Sequence, residues 1–452
     1  MATHKAHATP TKDFFVRMIT KDISLEDCIL DLIDNCLDGA RKVLHATRGD
    51  ASSADYSAFS VDIEFSAEKF GISDNCGGIT IGEAIDYAFH FGRRADAPMD
   101  GDSIGLYGIG MKRAIFKMGN KIEIHSSTDR EAFRTPINVG AWLSKDAASG
   151  SEAAPQPESW DFDMEDAELI PGTGTRITIA ELHAPIAADF ENPAFQNGLA
   201  RIVGRDYAQF LAKGFAISLN GTRVEGFPFA VGESDDFKPI HLQYTDESGI
   251  EVDIVAGMAG APPEDLQPTE QRAETDYYGW FVLCNERVIV AADKGRQTVW
   301  GDNGFPAWHY QYNGFIGVVS FHSRDPRLLP WKTTKRDVDD SNPAYRRAIE
   351  KMKEATRAWI KYTNDRRANI EEAKRREAAV VSKPLFSMPL QATLGVPRVA
   401  AASQHVKIGN ILYTKPLADI VKAATLLGNK HMPYKEVGSR TFDYFLENEG
   451  GG

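Results

Sequence analysis

Near the start of the chain, apolar residues recur at helical spacing at Ile23, Leu25, Ile29, Leu30, Ile33 and Leu37. This spacing predicts a helix over residues 14–44, and Ser24 can cap the turn before its apolar face. Residues 59–66 alternate apolar and polar side chains, which is typical of a half-buried strand. Further strands are predicted to end near Ile72 and to cover 121–126 and 176–180, with a short helix over 86–91.

The pattern changes from about residue 217 onward, where short strands alternate with turn signals. Strands are predicted over 216–219, 252–256, 280–283, 288–291 and 315–321, and one long helix over 343–379. Residues 144–166 are rich in small and acidic residues and read as a surface loop, and the prolines of 381–402 indicate a linker.

Composition narrows the class of protein. The length of 452 residues predicts two or three domains, and the net charge of −13 argues against a surface coated in basic residues for nucleic acid. The four cysteines have no CxxC spacing, so we expect no zinc site. Isolated cysteines of this kind fit a reducing compartment better than a disulfide framework. Because no segment reaches the roughly 18 apolar residues of a membrane helix and none reads as a signal peptide, we expect a cytoplasmic protein without membrane contact.

Three polar residues share one face of the first helix. Asp31, Asn35 and Asp38 stand at i, i+4 and i+7. A carboxylate there can orient or deprotonate a water, and an amide oxygen can bind Mg²⁺ without adding charge. Taken alone, the triplet is more readily interpreted as an ordinary polar helix face.

A second candidate feature follows a strand, where Asp74 begins the run Asp-Asn-Cys-Gly-Gly-Ile. A carboxylate at a strand end can accept a hydrogen bond from the exocyclic amine of adenine, whereas guanine would present an oxygen to it. The glycines allow the backbone to approach a base closely. A plain Asx turn remains the alternative reading.

Two glycine motifs come later. Gly105, Gly108 and Gly110 precede residues that favour a helix, an arrangement that exposes backbone N–H groups to phosphate oxygens. The order GxxGxG and its position exclude a dinucleotide-binding GxGxxG loop, while a merely flexible loop stays open. Residues 172–175, Gly-Thr-Gly-Thr, precede a strand and can support a base-binding carboxylate through water.

The order of these motifs over roughly residues 14–182 resembles that of the GHKL ATPases, the gyrase, heat-shock chaperone, histidine kinase and MutL superfamily. The resemblance implies an α+β protein. A Bergerat-fold sandwich, a mixed sheet covered by helices, would bind ATP and Mg²⁺, with Asn35 as the metal ligand. Asp74 would read adenine beside Gly78, the glycines would wrap the phosphates, and Thr175 would back the base. Residues 80–103 would form a mobile lid carrying Arg93 and Arg94.

The predicted nucleotide site comprises Asn35, Asp38, Asp74, Gly78, Ile79, Gly105, Leu106, Tyr107, Gly108, Ile109, Gly110, Met111, Lys112 and Thr175. The predicted catalytic residues are Asp31, as general base, and Lys335. Asp31 stands where the family usually has glutamate, which shortens the reach to a water. Lys335 lies in the loop Leu-Pro-Trp-Lys-Thr-Thr-Lys at 329–335, which looks like the sensor loop of MORC, MutL and gyrase B proteins, with Lys332 as second choice.

The expected division of the chain is an arm (1–22), an ATP-binding domain (23–205), a transducer-like domain (206–342), a charged helix (343–380), a linker (381–402) and a small helical C-terminal segment (403–452). Residues 346–377 carry 11 Lys and Arg against 6 Asp and Glu, a net charge of +5, which suits either a solvated helix or a DNA- or partner-facing surface.

The function expected from the resemblance is that of an ATPase acting as a conformational switch, which forms an ATP-dependent homodimer and acts on DNA or a protein. It resembles stand-alone bacterial members of the MORC/MutL type. The alternative is a nucleotide-sensing module or scaffold with little hydrolysis. A histidine kinase is not expected, because the histidines ahead of the first helix, His4 and His7, lie in a polar tail.

Overall fold

The computed structural model of the chain describes residues 10–48, 55–93, 101–105, 108–144, 160–170, 172–263, 276–302, 304–399 and 411–449. The chain divides into two compact units, residues 1–400 and 401–452. In the described ranges no helix has both the length and the apolar character that a membrane span requires.

The helices of the first unit are α1 (Lys12–Lys21), α2 (Leu25–Arg48), α3 (Ile81–Glu83, continued by a π-helical turn over Ala84–Ala88), α4 (Gly110–Met118), α5 (Val139–Ser144), α6 (Ala184–Glu191), α7 (Pro193–Asp206), α8 (Ala208–Ala212), α9 (Pro343–Arg366) and α10 (Ile370–Glu377). Its strands are β1 (Ser60–Phe65), β2 (Lys69–Asp74), β3 (Gly119–Ser127), β4 (Ala132–Asn138), β5 (Glu165–Asp166), β6 (Gly174–Leu182), β7 (Ala216–Leu219), β8 (Thr222–Arg223), β9 (Ala230–Glu233), β10 (Ile240–Thr245), β11 (Glu251–Met258), β12 (Gly279–Cys284), β13 (Arg287–Asp293), β14 (Phe315–His322) and β15 (Val381–Pro384). The second unit contains α11 (Leu417–Leu426) and α12 (Tyr434–Glu449).

An eight-stranded mixed sheet runs in the order β5-β4-β3-β6-β2-β1-β7-β8, in which β1 and β7 are parallel. The apolar face of α2 is fully buried in the core shared with this sheet, and Ile29, Ile33 and Leu37 have no exposed surface. Burial alternates along β1, as its sequence pattern predicted. The α+β fold, a mixed sheet covered by helices as in the Bergerat fold, is confirmed.

A five-stranded sheet in the order β10-β11-β14-β12-β13 follows, and α9 packs against it. Trp280 on β12 and Trp359 on α9 are fully buried, and the Trp280 indole N–H donates to the Thr356 hydroxyl at 3.0 Å. This sheet fixes the position of the segment that carries Lys335, because the segment directly follows β14 and precedes α9.

The structure differs from the predicted elements in several places. The short helix predicted over 86–91 begins earlier, as α3 and the π-helical turn over 81–88. Residues 14–44 form two helices rather than one, because the Ser24 hydroxyl accepts from the Asp27 N–H and starts α2 anew. The helix predicted over 343–379 breaks at 367–369, where the Asn369 side chain caps α10. Residues 381–384 of the predicted linker are a strand paired with β9.

The boundaries near 22 and 205 also take a different form. Strand β7, predicted with the second half, pairs with β1, so the first sheet extends past residue 205. In the N-terminal arm, α1 packs on its own domain. The Phe15 ring lies 5.1 Å from that of Phe91 and 5.4 Å from that of Trp160, and the Lys117 ammonium bonds the Thr20 carbonyl.

Candidate functional site

A cavity of about 440 Å³ lies between α2, the ends of β2 and β6, the segment after Gly78, the glycine loop and the Lys335 loop. Its volume suits a small ligand. Every described residue of the predicted site lines it, namely Asp31, Asn35, Asp38, Asp74, Gly78, Ile79, Gly105, Gly108, Ile109, Gly110, Met111, Lys112, Thr175 and Lys335. Leu106, Tyr107 and Arg94 lie outside the described residues, whereas Arg93 lines the cavity.

Asp74 is fixed at the end of β2. One carboxylate oxygen accepts from the N–H groups of Cys76 at 2.8 Å and Thr175 at 3.3 Å. Among the described residues, the other oxygen accepts only from the weak thiol donor of Cys36, at 3.4 Å. Burial raises the pKa of Asp74 above its usual value. The second oxygen therefore stays available, at the wall of the cavity, to a donor on a ligand.

Two glycines near Asp74 stand where a larger side chain would clash with the backbone. A Cβ on Gly174 would lie 1.9 Å from the Asp74 carbonyl oxygen, and one on Gly78 would lie 2.2 Å from the Ser127 carbonyl oxygen. Gly78 also has φ of +70°, which disfavours other residues. The backbone of the Asp-x-x-Gly-Gly motif thus packs closely against Gly174 of the Gly-Thr-Gly-Thr motif and against Ser127 on β3.

Ser126 on β3 joins these two motifs, and sequence reasoning missed it. Its hydroxyl lies 2.8 Å from the Thr175 hydroxyl and accepts from the Ile79 N–H at 2.8 Å. Thr175 therefore stands beside the Asp74 carboxylate and is oriented from behind by Ser126. A serine in an alternating strand carries no local signal of this role.

Asp38 holds the start of the glycine loop. Its carboxylate accepts from the backbone N–H groups of Ile104 at 2.7 Å and Gly105 at 2.6 Å, and from the Ser103 hydroxyl at 2.9 Å. We predicted direct contact with the cofactor, and in this structure the acceptor capacity of Asp38 is used to shape the loop. A Cβ on Gly105 would lie 2.9 Å from this carboxylate.

The loop ends where α4 begins. Gly108 has φ of +66°, and a Cβ on Gly110 would make a tight contact of 3.1 Å with the Asp31 carboxyl carbon, so both positions favour glycine where the helix N-terminus approaches α2. The first N–H groups of a helix have no partner within it and attract anions. The cavity therefore has an anion-favouring end beside Asp31, opposite the Asp74 end.

Lys112 belongs to this end. It is buried, its ammonium donates to the Ala88 carbonyl at 2.8 Å, and burial lowers its pKa to about 7. The Ala88 carbonyl closes the π-helical turn of the predicted lid. The lysine thus links the lid to the glycine loop with an ammonium that is easily neutralised.

Asp31 has a cation at each oxygen. One oxygen accepts from Arg113 Nε at 2.7 Å, with the same guanidinium also in ion-pair contact, and the other lies 3.4 Å from the Lys335 ammonium. Arg113 stands three residues into α4, and nothing in the sequence pattern marked it. In this conformation Asp31 is an ion-paired carboxylate.

Asp34, also missed by sequence reasoning, closes a ring of contacts with Lys335 and Arg287. One Asp34 oxygen accepts from Arg287 Nε at 2.7 Å and from the Tyr207 hydroxyl at 2.8 Å, and the other accepts from the Lys335 ammonium at 2.8 Å. Arg287 in turn donates to the Lys335 carbonyl at 2.9 Å. The same carboxylate thus holds Lys335 directly through its ammonium and indirectly through its backbone.

The ring is charged and buried. Burial alone would raise the pKa of Asp34, but Arg287 and Lys335 outweigh it and hold that pKa below its usual value. Burial alone would lower the pKa of Lys335, but Asp34 and Asp31 outweigh it and raise that pKa. Lys335 also has φ of +53°, a conformation that a non-glycine residue keeps only where its surroundings enforce it. Lys332, by contrast, pairs with Asp337 at the surface.

The turn between β12 and β13 docks on α2 beside the ring. Asn285 and Glu286 both have positive φ, as a tight hairpin turn requires. The Arg41 guanidinium donates to the Asn285 carbonyl at 2.8 Å, and the Lys213 ammonium lies 2.5 Å from the Glu286 carboxylate. The segment 279–287, for which the sequence offered no role beyond core strands, therefore connects the second sheet to the site.

Asn35 fits the role of a metal ligand. It is exposed within the cavity, and no described residue hydrogen-bonds its side chain, so the amide oxygen is available. Among the described residues no group of three or more His, Cys, Asp or Glu could hold a metal by itself. This suits Mg²⁺, which commonly binds through one or two protein oxygens together with phosphates and water.

Residues 23–163 match the family model of the histidine kinase-, DNA gyrase B- and HSP90-like ATPases. The matched segment contains Asp31, Asn35, Asp74 and the glycine loop but ends before Thr175 and Lys335. A search of curated proteins finds no match to the chain.

Proposed function

We propose, from the premise that residues 23–163 belong to the GHKL superfamily of ATPases, that this protein is an ATP-hydrolysing conformational switch that dimerises when ATP is bound. The observation that carries the proposal is the meeting of Lys335, 301 residues after Asp34, with Asp31 and the glycine loop in one cavity. A terminal phosphate bound there contacts the glycine loop and the Lys335 loop, which follows the second sheet, at the same time. ATP therefore binds more tightly to the closed state, in which these two loops are together, than to an open one.

Adenine binds at the Asp74 end in this proposal, with its exocyclic amine donating to the carboxylate oxygen that accepts from the Cys36 thiol. In Asp74→Asn, the amide can keep its oxygen towards the base only by turning its NH₂ group to the N–H groups of Cys76 and Thr175. Two donors would then face each other, so we expect ATP affinity to fall by about 10- to 100-fold, the worth of one hydrogen bond to a charged group. Calorimetric titration measures it, and unchanged affinity would remove the pocket assignment.

Mg²⁺ bound to Asn35 would supply charge neutralisation for the phosphates. Within the protein, the N-terminus of α4 and Lys112 attract the phosphates, and Asp31 orients or deprotonates the attacking water. For that step the Lys335 ammonium must leave Asp31 for the terminal phosphate, which frees one carboxylate oxygen. The shift is short, because Lys335 already lines the cavity and stays tied through its backbone to Arg287.

A nucleotide-sensing module with little hydrolysis is the second candidate. Two observations favour it: both Asp31 oxygens are in contact with cations, and aspartate replaces the longer glutamate. Steady-state ATP turnover by the wild type and Asp31→Asn separates the two functions. A drop of at least about 100-fold in the variant supports the ATPase, and equally slow turnover with intact ATP binding supports the sensor.

The switch is tested by light scattering of the full chain with and without a non-hydrolysable ATP analogue. We expect a dimer that forms only with the analogue. Lys335→Ala should weaken this dimer, because the terminal phosphate loses its contact with the lysine of the loop that follows the second sheet. Lys332→Ala is the matched control, since its ammonium pairs with Asp337 outside the cavity. Equal effects of both substitutions, or no dimer with the analogue, would refute the switch.

Action on DNA or a protein partner in the manner of MORC and MutL proteins belongs to the same proposal. The basic helices give it limited support. All six acids of residues 346–377 pair with basic residues of that segment, in the pairs Lys353–Glu350, Lys351–Glu354, Lys361–Asp365, Lys374–Glu371, Arg375–Glu372 and Arg366–Glu377. Five of these pairs join residues three or four apart on one helix, which is typical of a solvated helix surface, whereas the Arg366–Glu377 pair is buried and joins α9 to α10. Adding duplex DNA to the light-scattering assay tests this part directly.

A further inference from the structure

The polar face of α2 extends beyond the nucleotide cavity. Asp31, Asp34, Asp38, Arg41 and His45 follow one another at spacings of three and four residues, so they lie along one side of the helix. Arg41 is 4% exposed and does not line the cavity, and the proposed mechanism does not use it. Because a charge is costly to bury, the partners of its guanidinium indicate its role.

This guanidinium joins two distant segments of the chain. Arg41 Nη1 donates to the carbonyl of Asp102, at the end of the predicted lid and three residues before Gly105. Arg41 Nη2 donates to the Asn285 carbonyl at 2.8 Å, in the turn between β12 and β13. The Arg41 Cζ atom lies 5.0 Å from the ring centre of Phe210, so an aromatic ring supports the fork. A planar guanidinium offers its nitrogens in fixed directions, which suits two acceptors on different segments.

The segment before the glycine loop depends on this contact. Asp102 has φ of +66°, a conformation that a non-glycine residue keeps only where its surroundings enforce it. Arg41 holds the Asp102 carbonyl, and His45 Nε2 lies 3.7 Å from the Asp102 carboxylate. Asp38, one turn before Arg41 on α2, holds the next N–H groups of the segment. Two neighbouring side chains of α2 therefore fix the backbone where the glycine loop starts.

The other carbonyl belongs to a turn that is itself held in place. The Asn285 side chain donates to the Ser323 carbonyl at 3.1 Å and accepts from the Ser323 N–H at 3.0 Å, which joins the turn to the end of β14. The Glu286 carboxylate lies 3.9 Å from Arg41 Nη2. Burial alone would lower the pKa of Arg41, but nearby groups led by Glu286 outweigh it and raise that pKa, so the guanidinium stays charged. Arg41 is thus a charged clamp between the glycine loop and the second sheet.

We infer that Arg41 is a positioning residue that ties the start of the glycine loop to the second sheet, so that a disturbance of the turn between β12 and β13 reaches the loop. The tie needs no nucleotide, unlike the contact between Lys335 and a terminal phosphate. Its consequence for ATP rests on the proposed function. A phosphate that orders the loop should also tighten the docking of the turn, because coupling of this kind is reciprocal.

Hydrogen–deuterium exchange of the full chain without nucleotide tests the tie. The loop reporter is the Gly105 N–H, which donates to Asp38 at 2.6 Å, and the turn reporter is the Asn285 N–H, which donates to the Phe321 carbonyl at 2.9 Å. Arg41→Gln should raise exchange at both reporters by about tenfold, since each side loses a hydrogen bond from a charged donor. Arg41→Lys should fail to protect both reporters at once, because one ammonium does not reproduce the fork.

A second perturbation separates coupling from a general loss of stability. Lys213→Ala removes the ammonium that lies 2.5 Å from the Glu286 carboxylate and so loosens the turn directly. With Arg41 in place, it should raise exchange at the turn reporter and, through the tie, at the loop reporter. In the Arg41→Gln background it should raise exchange at the turn reporter alone. Arg347→Ala is the matched control: its guanidinium pairs with Glu247 at the surface, and its loss should change neither reporter.

Three outcomes overturn the inference. Arg41→Gln could leave either reporter unchanged, Arg41→Lys could protect both reporters as the wild type does, or Lys213→Ala could affect the loop reporter equally with and without Arg41. Circular dichroism checks the fold of each variant. If Arg41→Gln does not fold, Arg41→Lys takes its place in every comparison and must give the same uncoupling.

An ATP analogue with Mg²⁺ separates the inference from the proposed function. The wild type should gain protection at both reporters, whereas Arg41→Gln should bind the analogue about tenfold more weakly and gain protection at the loop reporter alone. If the analogue protects both reporters in Arg41→Gln as well, the inference fails and the proposed function stands. If the wild type binds no analogue while the reporters respond to the substitutions as expected, the inference stands and the proposed function fails.

Discussion

Removal of the Asp34 carboxylate is the sharpest test of the ring that holds Lys335. Asp34 is fully buried and accepts from Arg287, Tyr207 and Lys335 at 2.7–2.8 Å. In Asp34→Asn, two buried cations lose their shared anion, and the amide brings a donor among three donors. Removing one partner of a buried ion pair costs about 3–5 kcal/mol, so the free energy of unfolding should fall by that amount.

Urea denaturation at pH 7 without nucleotide, followed by circular dichroism and tryptophan fluorescence, measures this loss. The matched control is Asp27→Asn, which breaks a contact between the same helix and the same loop, to Arg336. Because the Asp27 and Arg336 side chains are 21% and 24% exposed and Arg336 keeps its second partner Asp206, the control should lose clearly less stability than Asp34→Asn. A loss below about 1 kcal/mol for Asp34→Asn, or equal losses for the two variants, would refute the ring as a stabilising device.

Three more predictions rest on the site. The stabilisation from Asp34 is present above its unfolded pKa of about 3.9 and is lost as pH falls through its lowered folded pKa, so the wild type and Asp34→Asn should converge in stability at acid pH. Lys112, with a pKa of about 7, should take up a proton when phosphates bind beside it. Calorimetry in buffers of different ionisation enthalpy should show this proton uptake above pH 7, and Lys112→Gln should abolish it. Proton uptake that persists in the variant contradicts the assignment. Gly174→Ala should abolish ATP binding, because its Cβ would lie 1.9 Å from the Asp74 carbonyl oxygen. The control Gly198→Ala, whose Cβ would have nothing within 4 Å, should bind ATP normally and unfold at a slightly higher urea concentration. ATP binding by Gly174→Ala would show that the contact with Asp74 can relax.

The parts of the site that could be predicted from sequence are those set by local geometry. Asp31 and Asn35 share a helix face at any position in a fold. Gly78 and Gly174 mark places where the backbone must turn or approach closely, and such demands appear directly as glycine. The order of these signals then predicted the α+β fold and the superfamily whose model matches residues 23–163.

The missed residues act through long-range contacts. Arg113 meets Asp31 across 82 residues of chain, and Arg287 meets Asp34 across 253, so no short pattern contains either pair. The membership of β7 in the first sheet was missed for a related reason, since a strand pattern does not tell which sheet it joins. The helix break at 367–369 was readable, because Asn369 with Glu372 three residues on is an N-cap signal.

The ring has a consequence for the order in which the protein is made. Lys335 follows Asp34 by 301 residues, so at a synthesis rate of about 5–20 residues per second it leaves the ribosome roughly 15–60 seconds later. Until Arg287 is made, the nascent chain has no cation from the second sheet to pair with Asp34, although residues 23–163 are already complete. The ATP-binding segment therefore completes its pocket only near the end of translation, and ribosomes stalled before codon 287 should display a chain that holds the family motifs without the finished site.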